Sequence, residues 1–185
     1  MAKRGPYRKG EAKRAEILTA ALEIFATEGY RGTSLRKVAA QCGLSLPGIM
    51  HYFASKEDLL TQVLRMRDRT ERARHPDFHM IDDTLDIVLQ GMRTPGLVEL
   101  FVSMAASAGD TSHPAHEFFQ RRYTVYREAI ARRLAEEQTA IPPERAAVLL
   151  LAVVDGVQLQ WLADQSIDMR EPVADALRLL GIGPG

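Results

Sequence analysis

Hydroxyl, imidazole and cationic side chains crowd one stretch of this sequence, which holds Thr33, Ser34, Arg36, Ser45, His51, Tyr52 and Lys56. Thr33 and Ser34 precede one run of helical spacing and Ser45 precedes another, so their oxygens can cap helix starts. A capped start also offers free backbone amides, and hydroxyl and amide together suit a phosphate oxygen. His51, Tyr52 and Lys56 would add contacts to the same kind of backbone. This is the chemistry of holding an anion. For breaking a bond the sequence has no glycine-rich phosphate loop, no nucleophile elbow and no Ser/His/Asp or Cys/His grouping, so no enzymatic activity is expected. His113 and His116 have ligand spacing, with His79 further back, but no carboxylate or cysteine completes a set and Pro114 reads as a helix start. Neither metal nor cofactor is expected.

The elements that position these residues follow from apolar spacing. Ala15, Leu18, Ala21, Leu22 and Phe25 recur at three and four residues, predicting a helix over 11–28 with Gly29 at its C-cap. Leu35, Val38, Ala39 and Cys42 predict a short helix stopped at Gly43. A second short one follows over 46–52, where Pro47 is tolerated in the first turn. Ser55 and Asp58 resemble a capping box and open a longer helix through Leu64 and beyond. Pro95, Pro114, Pro142 and Pro172 mark further starts, predicting helices over 81–92, 95–107, 114–137, 142–163 and 171–180. The expected fold class is all-α, with about nine helices.

The formal net charge of zero hides a division. Residues 1–75 carry 15 Lys/Arg against 8 Asp/Glu, and residues 76–185 carry 9 against 16. A basic first part invites a polyanion that the acidic remainder would repel, and nucleic acid is the leading candidate. The single cysteine, Cys42, permits no intrachain disulfide and reads as a small buried apolar residue. With a charged N-terminus and no long unbroken apolar run, the chain is expected to be cytoplasmic, neither exported nor membrane-spanning.

Two short helices around Gly43-Leu44, the second opened by Ser45, match a helix-turn-helix. The stretch TSLRKVAAQCGLS, followed by IMHYFASKEDLL, resembles the N-terminal domain of TetR-family transcriptional regulators, closely over residues 11–64. The later DGVQLQWL is similar to a segment of the penultimate helix in many members. The resemblance implies a helix-turn-helix DNA-binding domain with a basic arm over 1–56 and a helical ligand-binding and dimerisation domain over 57–185. It implies that Arg36 reaches a base edge, where an arginine can pair with guanine, and that Leu46, Pro47 and Gly48 enter the groove. The chain departs from the family pattern at Leu46, Gly48 and Met50, where a polar residue, Thr or Ser, and Tyr are common. Readout would then lean on thymine methyls, exposed backbone and DNA shape. Lys3, Arg4, Tyr7, Arg8 and Lys9 form either an arm on phosphates or in the minor groove, or a solvated tail.

For the acidic part, the resemblance implies a small-molecule effector, a homodimer and a pseudopalindromic operator. Leu150, Val153, Val154, Val157, Trp161, Val173, Leu177 and Leu180 are more apolar surface than one small bundle hides, and a four-helix subunit interface is expected from them. Leu85, Leu89, Met92, Phe101, Met104, Phe119, Tyr123, Tyr126 and Trp161 serve a core first. They also suit a pocket for a largely apolar ligand, with Tyr123 or Gln158 as polar anchors. A competing reading is a helical ligand carrier or interaction module with a degenerate helix-turn-helix, which Leu46 and Gly48 permit.

Overall fold

A computed structural model describes residues 5–75, 80–136 and 139–182. Among the described residues every regular element is a helix: α1 (Gly5–Gly32), α2 (Leu35–Gln41), α3 (Leu46–Met50), α4 (Lys56–Arg74), α5 (Met80–Met92), α6 (Pro95–Ser107), α7 (His116–Leu134), α8 (Pro143–Ala163) and α9 (Arg170–Leu179). The all-α expectation holds, and α6 has the predicted ends. Other ends shift by one to three residues, α3 and α7 being shorter than expected, and α1 departs most. α1 begins at Gly5, so Arg8 and Lys9 lie on helical backbone where an irregular arm was expected; Lys3 and Arg4 lie outside the described residues. At Gly29, where the sequence placed the helix end, the backbone is non-helical with φ of 69°, and a further short helical stretch follows this kink to Gly32.

The described residues pack into two apolar cores. In the first, Ile17, Ala21, Ile24 and Phe25 of α1 meet Val38 and Ala39 of α2, Ile49 of α3 and Phe53, with Leu59, Leu60, Val63 and Leu64 of α4 behind them. Each large side chain so buried contributes about 1.5–3 kcal/mol. The core does not stop at residue 56. Leu97, Leu100, Phe101 and Met104 of α6 and Phe118 and Phe119 of α7 complete it. The Phe101 and Phe119 rings lie 5.2 Å apart, and Phe118 meets Phe119 edge-on at 5.0 Å. Gly96 sets the approach of α6 to α1: a Cβ there would stand 2.0 Å from the Phe25 carbonyl oxygen and 3.0 Å from that of Ala26. The second core joins Val88 of α5, Val98 of α6, Ile130 and Leu134 of α7, Leu150, Val157 and Trp161 of α8, and Val173 and Leu177 of α9.

Several sequence expectations change on this frame. Leu150, Val157, Trp161, Val173, Leu177 and Leu180 are buried within the single chain, and Val153 and Val154 are partly buried against them. The buried six therefore have no surface left for a subunit interface. The exposed apolar face of α8 is the opposite one, Val148, Leu149 and Leu159, and Leu179 of α9 is exposed as well. By length and composition alone α8 is long and apolar enough to cross a membrane, a test that the core helix of a soluble protein also passes. Glu144, Arg145 and Asp155 break the apolar run of letters but leave the helix apolar on average. His113 and His116 fasten the loop before α7: His113 Nδ1 accepts from the Ala115 amide at 3.2 Å, and His116 Nδ1 donates to the Ala108 carbonyl at 2.8 Å.

Candidate nucleic-acid interface

The reading unit is built from caps. Ser34 precedes α2 in an extended conformation, and its Oγ accepts from the Lys37 amide at 3.3 Å. Gly43, with φ of 64°, reverses the chain, and the Leu44 amide closes the turn on the Ala39 carbonyl at 2.8 Å. Ser45 then caps α3, its Oγ accepting from the Gly48 amide at 3.2 Å. Ser55 does the same for α4 through the Asp58 amide at 3.0 Å, and Asp58 Oδ2 accepts in return from the Ala54 amide.

A helix of five residues cannot hold itself in water, so α3 depends on anchors at both ends. Ile49 and Phe53 bury its inner face. From α1, the Arg14 guanidinium lies 4.5 Å from the Phe53 ring centroid and donates to the Tyr52 carbonyl, holding the chain just beyond α3. Its neighbour Lys13 donates to the Cys42 carbonyl at 2.8 Å, a cation on the C-terminal end of α2. Glu16 accepts from Lys13 at 2.7 Å and raises its pKa. Burial pushes the Cys42 thiol up. Neither Lys13 nor Arg14 was singled out from the sequence. The readable signal was two adjacent cations on α1, ahead of helix ends that lack basic residues of their own.

What remains outside is largely polar, with Pro47 and Met50 as the exposed apolar residues of α3. Ser34, Arg36, Lys37, Ser45, Pro47 and His51 are exposed, Leu46, Gly48 and Tyr52 are half-buried, and Met50 is 52% exposed. Lys37 pairs with Glu28, whereas Arg36 forms no ion pair among the described residues. Two expected phosphate contacts are turned inward. Thr33 is 3% exposed, and its Oγ1 donates to the Gly29 carbonyl at 3.0 Å, because the α1 kink leaves that carbonyl needing a donor. Lys56 donates to the Tyr30 carbonyl at 2.8 Å and stands over the Tyr30 ring at 4.4 Å, tying the start of α4 to the end of α1.

In the body, the expected pocket residues are dispersed. Phe101, Met104 and Phe119 are first-core residues, Trp161 belongs to the second core, and Leu85 and Met92 pack partly buried against that core. Leu89 is half-buried, and Tyr126 lies under the Arg122 guanidinium at 4.5 Å. The Tyr123 hydroxyl donates to Asp155 Oδ2 at 2.6 Å, one helical turn from Gln158, whose Oε1 is buried without a partner. Burial raises the Asp155 carboxyl and the Tyr123 phenol. Among the described residues, open cavities lie elsewhere. One of about 590 Å³ lies between α5 and α9 and includes Leu85; another, of about 510 Å³, lies between α4 and α7 and includes none of the expected residues.

A capped short helix exposed on a three-helix support, with a helical body behind it, defines a helix-turn-helix DNA-binding protein of the two-part regulator type. Residues 17–63 match the model for bacterial regulatory proteins of the tetR family. Over 176 residues, 86% of this chain and 85% of the relative, the sequence is 31% identical to an uncharacterised HTH-type transcriptional regulator from the dhlA 5′ region of Xanthobacter autotrophicus. It is 29% identical over 112 residues to the HTH-type transcriptional repressor KstR2 of Rhodococcus jostii, a match spanning 58% of this chain but only about half, 48%, of that protein. The crystal structure of a transcriptional regulator from Rhodococcus sp. Rha1 shares the fold, with a TM-score of 0.71 at 20% identity over 90% of this chain and 95% of the other. The chain belongs to the TetR family of transcriptional regulators.

Proposed function

We propose that the protein is a cytoplasmic homodimeric repressor that holds a pseudopalindromic operator and releases it when a small-molecule effector occupies the body. The observation that carries this reading is α3: too short to stand alone, braced by Arg14 and Lys13, and left with its capped start and outer face uncovered. Bracing a reading surface without covering it prepares it for a partner at little entropic cost. Arg36 reads a base edge, Pro47, Gly48 and Met50 approach the bases, and Ser34, Ser45, His51 and Tyr52 hold phosphates. Leu46 supports them, half-buried against the first core. Arg4, Arg8 and Lys9 add an electrostatic arm. Thr33 and Lys56 serve as internal clamps.

So small a footprint gains affinity by duplication, and two heads about 34–36 Å apart fit half-sites one turn apart. The partner covers the Val148, Leu149 and Leu159 face of α8, an apolar surface otherwise left in water. The effector acts through α4, which begins at the reading unit and runs into the body, by favouring the arrangement that does not fit DNA. The repressor reading is supported by the name of the KstR2 relative. Mobility shift on random duplex across salt concentrations tests the DNA reading. Weak binding that falls steeply with salt is expected, and a pure ligand carrier would give no shift at any salt. Arg36→Ala should relax preference at a single base by about 1–3 kcal/mol, and equal losses on all sequences would refute its role.

A further inference from the structure

The cavity between α4 and α7 is lined by guanidinium groups to a degree that neither helix needs for packing. Arg65, Arg69 and Arg72 stand at i, i+4 and i+7 on α4, one stripe of that helix, and Arg121 and Arg122 face them from α7. The opposing charge is small. Asp68 is engaged by Arg122 at 3.1 Å, and Glu117 is the other carboxylate of the lining. Among the described residues Arg65, Arg69, Arg72 and Arg121 form no ion pair. Behind the stripe Arg67 is held below the usual guanidinium range by burial first and by the nearby Arg122 second, with Glu71 and Asp68 opposing the shift. Phe118 and Val125 give the cavity an apolar wall.

We infer that this cleft binds a small anion with two or more negative charges and an apolar or aromatic part, and that this anion is the effector. Its volume of about 510 Å³ is that of a small-molecule site. DNA is a poor occupant, because Arg65 to Arg72 stand about 14–24 Å along α4 from its start at the reading unit. An anion bridging Arg69 and Arg121 replaces repulsion between the two helices with attraction to both, which draws α4 toward α7 and away from its DNA-bound setting. The inference rests on the regulator reading for its consequence and on the cleft alone for its site.

The test is a fluorescence titration of the full chain with trinitrophenyl-ATP, an aromatic polyanion, with inorganic pyrophosphate as competitor and rhodamine 6G as an aromatic cation. Saturable binding, competition by pyrophosphate and weakening by about tenfold or more in R69Q/R121Q are expected, with R69K/R121K close to the parent. Both sites are exposed, and thermal unfolding monitored alongside checks that the variants fold. No saturable binding of either anion, equal binding by R69Q/R121Q, or preference for rhodamine 6G overturns the inference. So does a variant that loses random-duplex binding in step with the probe, which would make the cleft a DNA contact. Absence of duplex binding by the parent chain would instead defeat the regulator reading, leaving the cleft to stand or fall on the titration.

Discussion

The reading unit and the body solve opposite problems. Around α2 and α3 most large apolar side chains are inside, the charges are outside, and the long cations Lys13, Arg14 and Lys56 reach backbone carbonyls. Around α4, α7, α8 and α9 a buried apolar core is kept, but some apolar side chains also stand outside and some charged groups are drawn inward. Leu149, Leu159 and Leu179 are 50%, 59% and 81% exposed, while Asp155 and Arg67 are drawn inward with their pKa values shifted by burial. The first region is complete as a single chain. The second has unspent apolar surface and unneutralised charge, the two features that a second copy and a ligand would satisfy.

That contrast predicts where substitutions act. The largest effect is at the seam, since the two units share a core through the close approach of α6 to α1. Gly96→Val drives its side chain into backbone carbonyls that cannot move aside, and should cost about 3 kcal/mol in chemical denaturation, affecting both units together. Two separate transitions in the variant would mean that the units are independent.

Next is the exposed face. Leu149→Glu should leave folding within about 0.5 kcal/mol of the parent yet weaken self-association by roughly a hundredfold in sedimentation, because a charge would be buried unpaired between subunits. Unchanged association would place the subunit interface elsewhere. In the reading unit, Arg14→Gln should lose about 1–3 kcal/mol through the missing charged hydrogen bond and ring contact. Random-duplex binding should fall with it while self-association stays intact.

The smallest effect concerns the buried carboxylate. Burial raises Asp155 above its ordinary 3.8, so the folded chain holds that proton more tightly than the unfolded one. Stability from this group is therefore full below 3.8 and declines as pH rises through the raised value. Asp155→Asn still accepts from Tyr123 but has no charge to bury. Its melting temperature should exceed the parent's at neutral pH, with the advantage shrinking in acid. A lower melting temperature at neutral pH would show that the ionised group is favourable where it sits.

Local chemistry was legible in the sequence where cause and effect lie within a few residues. Ser34, Ser45 and Ser55 are caps as read, and the Thr94-Pro95 start of α6 fell where proline allows it. What escaped needed distance or direction. α8 carries large apolar residues on opposite sides, so periodicity could not tell the core face of Leu150, Val157 and Trp161 from the outer face of Val148, Leu149 and Leu159. Thr33 and Lys56 have the right types and positions for phosphate, but a kink at Gly29 supplies carbonyls that claim both. The guanidinium cleft pairs α4 with α7, and halving the charge tally near residue 75 credited the α4 arginines to DNA.

Selection of bound fragments from genomic DNA by the purified chain is the most direct test of a two-headed DNA reader. Enrichment of an inverted repeat, its half-sites centred about one helical turn apart, is the predicted result. Recovery of fragments with no shared sequence, or of a lone half-site without its mirror image, would contradict it.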